Sequence, residues 1–135
     1  MPKILRYLWA SPATLVGLVA ALPCILSGGR CRRMRGVLEV SGGIVVGRLR
    51  RFGFAAITFG HVIIGLDEAC LAGCRPHEHV HVRQYERWGL LFFPIYLGSS
   101  AWQWMRGRDP YLDNRFEREA YGRPRRQLGA RPLRM

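Results

Sequence analysis

The chain has 135 residues, enough for one domain or one domain with a membrane anchor, and too few for a multi-domain enzyme. Its apolar fraction of 49%, with four Trp, six Phe and five Tyr, can offset the entropy of ordering, so disorder throughout is excluded. The net charge is +12 with Lys3 the only lysine, so the positive charge is arginine's and predicts an anionic partner, either phospholipid headgroups or nucleic acid.

In chain order, the first element is the uncharged run Leu8 to Leu26, LWASPATLVGLVAALPCIL. At about 1.5 Å per residue it nearly crosses a hydrocarbon core of about 30 Å, so residues 1–29 are expected to be an N-terminal membrane anchor. A cleaved signal peptide is the competing reading. Lys3 and Arg6 favour it, but no A-x-A-like site closes the run, and Pro23 makes LPC a poor lipobox. Arg30, Arg32, Arg33 and Arg35 follow, against Lys3 and Arg6 before, which places the post-anchor side in the cytoplasm at an inner membrane.

GVLEVSGG and GIVVGRL, separated by Ser41, Gly42 and Gly43, read as strands, as does the β-branched and aromatic FGFAAITFGHVIIGL. A short antiparallel sheet is expected. The period changes after Asp67: DEACLAGCRPHEHVHVRQYERWGLLFF suggests a helix, a break at Phe93 and Pro94 starts another through Met105, and Gly107 to Pro110 form a turn. NRFEREAY is a short helix, and residues 122–135, with five arginines among Gly and Pro, are a basic tail. Cys24, Cys31, Cys70 and Cys74 have neither zinc-knuckle spacing nor the density of a disulfide scaffold. The expected fold class is therefore α+β, with a domain over residues 30–121.

The chemistry concentrates in HEHVH. His77 and His81 fit H-E-x-x-H, one helical turn apart on one face with Glu78 adjacent. Composition alone would produce that motif in about 0.5% of shuffled chains, so chance is a poor explanation. Two imidazoles suit one tetrahedral Zn²⁺, Glu78 would deprotonate its bound water, and Gln84, one turn past His81, could orient an imidazole. The third ligand must be acidic, because no histidine follows His81. Glu86 lies over two turns from His77 and cannot curl back, and Asp109 before Pro110 reads as a cap, which leaves Asp113, Glu117 and Glu119.

HEHVHVRQ followed by EREAY resembles the gluzincin class of metallopeptidases, especially its small integral-membrane branch, in which HExxH is followed by a helix carrying E-x-x-A-D. The resemblance covers His77 to Tyr121. It implies Glu117 as third ligand and Ala120 as the small residue of a close helix contact. It also implies a substrate-binding strand at FAAITFGHVII, and it departs at Tyr121, where the family has Asp or Asn to orient a histidine. Glu117 and Glu119 cannot both face one ion, since residues two apart point about 200° from each other. His61 is expected to be a satisfied strand histidine.

Topology is constrained as well. If Trp88 to Met105 crossed a bilayer, His81 and Glu117 would stand some 30 Å apart, and ligation at about 2 Å excludes that. An antiparallel helical hairpin with its apolar faces packed into the domain or dipping into one leaflet is expected instead. The function expected is zinc-dependent peptide-bond hydrolysis at a membrane with anionic lipid, on a His77/His81/Glu117 zinc with Glu78 as base. Its substrate would be a peptide or protein, with the metal site on the cytoplasmic side. The alternatives are a non-catalytic membrane protein with a structural metal, or a basic nucleic-acid-binding module. Against the last, the arginines are spread over loops and tail instead of being interleaved with aromatics.

Overall fold

The computed structural model describes residues 2–53 and 55–122; the expected basic tail from residue 123 onward lies outside them. The fold is α+β. Helix α1 (Lys3–Leu26) is followed by strands β1 (Arg30–Met34) and β2 (Val37–Ser41), helix α2 (Ile44–Leu49), and strands β3 (Ala56–Phe59) and β4 (Val62–Gly65). Helices α3 (Glu68–Trp88), α4 (Phe92–Met105) and α5 (Arg115–Ala120) complete it.

The sheet is mixed, not antiparallel throughout as expected. Its order is β1-β2-β4-β3, with β1–β2 and β3–β4 antiparallel and β2–β4 parallel. The physical reason is the segment GIVVGRL, expected as a strand, which is instead α2. Its first backbone amides meet the end of α1, Ile44 N–H donating to the Ser27 carbonyl and Val45 N–H to Ser27 Oγ. Val46 is buried against Ala21 and Cys24 of α1, so tertiary packing overrides the local β preference. The excursion carries the chain to the far edge, and the β3–β4 hairpin then brings β4 back beside β2 in parallel.

Both hairpins have turns that the sequence explains. Arg35 and Gly36, at φ 52° and 78°, give the two positive φ values of a type I′ turn between Met34 and Val37. Gly60, at φ 58°, opens the turn to β4, and a Cβ there would lie 2.4 Å from the Thr14 backbone nitrogen, so only glycine lets α1 approach.

The sheet is covered on both faces, and β4 is buried at every residue. Val62 and Ile64 pack with Ala21, Cys24 and Val40 beneath α1, while the alternating Ile63 packs with Leu71, Cys74 and Val82 beneath α3. The inner stripe of α1 is Ala10, Ala13, Gly17, Ala21 and Cys24, small residues at helical spacing that let the helix sit directly on Phe59 and Val62. Among the described residues α1 is the one helix long and apolar enough to cross a membrane.

Helix α3 starts at Asp67, whose carboxylate accepts from the Cys70 amide, and the four cysteines are free thiols. It ends at Gly89, not at Phe93 and Pro94 as expected. Gly89 takes φ 59°, and Pro94 sits in the first turn of α4, where its missing N–H costs nothing. Gly89 also faces α1: a Cβ there would come within 2.8 Å of the Trp9 ring. Ring contacts of Tyr85 with Phe92 and Phe93 tie α4 to α3.

These positions make opposite demands on a methyl group. Gly89→Ala is expected to destabilise the protein by about 2 kcal/mol or more, from the positive φ and the Trp9 contact together. Gly73→Ala, in the α3 interior with open space around it, should be neutral or stabilise by about 0.5–1 kcal/mol. Chemical denaturation of both variants measures the difference, and equal midpoints would contradict the Trp9 contact.

Candidate metal centre

The site is built on α3, whose helical rise stacks His77 and His81 on the face turned towards α4 and α5. His77, Glu78 and His81 are all buried. The third group arrives from α5. Asn114 caps this helix by accepting from the Phe116 amide, while its side-chain amide donates to the Tyr96 carbonyl and to Ser100 Oγ on α4. Phe116 is buried among Ala10, Ala13, Tyr85 and Phe92. With the cap and Phe116 fixed, Glu117 points inward.

Three side-chain atoms then converge. His77 Nε2 and His81 Nε2 are 3.1 Å apart, and Glu117 Oε2 lies 3.1 Å from the first and 3.3 Å from the second. One face of a tetrahedral zinc shell, with bonds of about 2.05 Å, has edges of about 3.3 Å. The observed triangle has that size. The same three residues are the one group of His, Cys, Asp or Glu among the described residues that could hold a metal ion.

The electrostatics favour charged Glu117. Burial pushes its carboxyl up, but the His77 and His81 imidazoles beside Oε2, and a hydrogen bond from the Tyr96 hydroxyl to Oε1, outweigh burial and hold it down at about 2. For His81 burial works downward, and the neighbouring Glu117 more than reverses it, so the imidazole is raised. Glu78 is different: burial dominates and raises its carboxyl, with His81, Thr58 and His77 opposing. Thr58 Oγ1 on β3 donates to Glu78 Oε2 at 2.6 Å, while Oε1 is buried with no hydrogen-bond partner among the described residues.

Gln84 takes the position expected of it. Its Oε1 lies 2.8 Å from His81 Nδ1, and its amide nitrogen donates to the Phe116 carbonyl and to Glu119 Oε2. One side chain thus orients an imidazole and locks α5 to α3. Glu119 is consequently outside the triangle, on the far side of Gln84. His77 has no such partner. Its Nδ1 is buried without a hydrogen bond among the described residues, and the Tyr121 ring lies against the imidazole, centroids 4.2 Å apart. The Tyr121 hydroxyl is 3.1 Å from that of Tyr111.

Beside the triangle lies a pocket of about 370 Å³ bounded by β3, α3 and α4, with Glu78, His81 and Glu117 in its wall and Ile57, Phe92, Phe93 and Leu97 among its apolar lining. The other acidic candidates lie elsewhere. Asp109 accepts from the Tyr111 and Leu112 amides, as a cap should, and Asp113 accepts from the Asp109 amide. Glu86 is 2.9 Å from His61 Nε2. His61, in the β3–β4 turn and not within a strand, stacks on Tyr7.

Thr58, Tyr96 and Tyr111 carry no motif in the sequence. They reach the site because β3, α4 and the turn between α4 and α5 fold onto α3, and no spacing along the chain signals that. Comparison with known protein families, curated proteins and solved structures finds no match to this chain.

The geometry ranks the variants. Glu117→Ala is expected to lower zinc affinity strongly, and Gln84→Ala by about 10–100-fold through loss of the His81 contact. Glu119→Ala should leave affinity within a few fold. Competition titration against a chromogenic chelator measures all three, and a larger loss at Glu119 than at Glu117 would refute the assignment.

Proposed function

We propose that this protein is a zinc-dependent peptidase held at a membrane by α1, with Zn²⁺ bound by His77, His81 and Glu117 in a helical hairpin of α3 and α4 closed by α5. The observation that carries the reading is the buried triangle of donor atoms with 3.1–3.3 Å edges. Three such atoms without a cation would set two ring nitrogens against each other and a carboxylate in a dry interior, at a desolvation cost that only partial protonation relieves. Two imidazoles and one carboxylate with a fourth position open are a hydrolytic zinc shell, and the adjacent Glu78 is a base that an iron oxygenase site would not need.

Bound there, the metal would polarise a carbonyl and bring the pKa of a coordinated water to about 7. The chain's own groups supply the rest. Thr58 holds Glu78 Oε2, which leaves Oε1 to take the water proton and return it to the leaving amine. Gln84 keeps His81 Nδ1 engaged, so that Nε2 is the donor turned to the ion. Tyr96 holds the second oxygen of Glu117 and so fixes which oxygen faces the imidazoles. The pocket beside the base accepts an apolar side chain of a peptide. The arginine-rich surface draws the protein to anionic lipid.

A second reading, a structural metal without catalysis, takes the same three ligands and has in its favour the Tyr121 ring, which lies against His77 where a catalytic site would place a group to orient it. The pocket weighs against it, since structural zinc sites are closed.

Metal analysis of the purified protein should find about one zinc per chain, lost in His77→Ala/His81→Ala. Glu78→Gln should keep the zinc while turnover of a quenched fluorogenic peptide library falls by about 10²–10⁴-fold. Full zinc occupancy in the double variant would remove the site, and unchanged turnover in Glu78→Gln would remove the base.

A further inference from the structure

The two faces of α1 are unlike. Its inner stripe, Ala10 to Cys24, is committed to the sheet and α3, and most of its large apolar residues point outward, Leu15 being 62% exposed and Val19 66%. In a water-soluble α/β/α layer the outer face of a covering helix is polar. Here no charged residue occurs between Tyr7 and Leu26.

The outer surface continues beyond α1. Trp9 meets Gly89, and the chain that leaves Gly89 exposes Leu90 and Leu91 before entering α4. Helix α4 has no charged residue, and it turns Phe92 and Tyr96 inward while Leu97, Trp102 and Trp104 stand out, Trp104 being 69% exposed.

We infer that α1 lies along the membrane plane instead of crossing it, and that its outer face and the outer face of α4 dock together on one leaflet of an anionic bilayer. The inference rests on the reading of the chain as membrane-attached and names how that attachment is made. Crossing is opposed by what α1 carries. Its inner stripe is bound to the sheet over most of its length, so a spanning α1 would draw β3 into hydrocarbon. β3 is an edge strand with one row of backbone groups unpaired by the sheet, and each such group costs several kcal/mol there. Helix α4, at 14 residues and about 21 Å, is too short to cross.

Charge selects the occupant. Lys3 precedes the outer face of α1 and Arg30, Arg32 and Arg33 follow it. Arg87 precedes α4 and Arg106 follows it, with the Arg106 guanidinium over the Trp102 ring at 5.7 Å. Apolar faces flanked by arginine and tryptophan match the acyl boundary and its anionic headgroups. A water-soluble protein partner would not require the cations at both ends of both helices.

The test uses the full chain with Cys31→Ser and Cys70→Ser at the accessible thiols and Cys24→Ala and Cys74→Ala at the buried ones, reconstituted in vesicles of phosphatidylglycerol and phosphatidylcholine. Nitroxide labels on single cysteines at positions 8, 15 and 22 sit on the exposed face at seven-residue steps, about 10 Å apart along the helix. In-plane docking predicts one common depth near the acyl boundary. A label at position 15 about 10 Å deeper than both others would mean a span and overturn the proposal. Leu97→Ser/Trp102→Ser/Trp104→Ser, all at exposed positions, should lower partitioning into these vesicles at least ten-fold, and partitioning equal to the parent would remove α4 from the surface. Zinc content measured on the same samples separates the two readings: loss of metal with retained depth would fault the metal site, and the reverse would fault the docking.

Discussion

A carboxylate buried between two imidazoles is the constraint around which the molecule is arranged. Glu117 cannot be left charged in the interior without compensating neighbours; Tyr96 donates to its Oε1, and the His77 and His81 imidazoles stand beside its Oε2. These neighbours come from two further helices, so the ion-pairing requirement fixes α3, α4 and α5 relative to one another. Gln84 adds the directional part. By reaching the Phe116 carbonyl and Glu119 with one amide and His81 with the other end, it sets the rotation of α5 that brings Glu117 inward.

The sheet serves this arrangement from the other side. Buried on both faces at β4, it holds β3 against α3 through Ala56 and Thr58, and Thr58 uses its hydroxyl to fix one oxygen of Glu78. A second charged contact braces the opposite end of α3. Glu39 on β2 is buried and accepts both guanidinium bonds of Arg75, at 2.7 and 2.9 Å, a bidentate pair that pins the first turns of the helix to the sheet centre. His61 with Glu86 and Tyr7 does the same for α1 and the later part of α3.

Much of this was legible in the sequence where one element contains the whole signal. The H-E-x-x-H spacing puts His77 and His81 on one helical face wherever the helix goes, NRFEREAY announces α5, and the apolar run announces α1. Legibility failed where partners lie far apart in the chain. Arg30 to Met34 is a strand exposed on both faces at a sheet edge, so it has no hydrophobic alternation to betray it, and only the Arg35-Gly36 turn hints at pairing. GIVVGRL has strand propensity but becomes helix because α1 offers Val46 a place in the core. The parallel β2–β4 pairing follows from that exchange. The end of α3 was misjudged for a related reason: Pro94 is the stronger breaker in isolation, yet Gly89 is the residue that the contact with Trp9 requires.

Helix α5 has six residues, too few to persist alone, since helix nucleation costs more than one turn returns. Its order is borrowed from the side chains it meets, chiefly Gln84, Tyr96 and the pocket around Phe116. The group completing the donor triangle therefore rides on an element with little stability of its own. Lifting of α5 removes one donor of any ion held there, so ion residence time and amide hydrogen exchange across residues 115–120 are coupled through the same local opening.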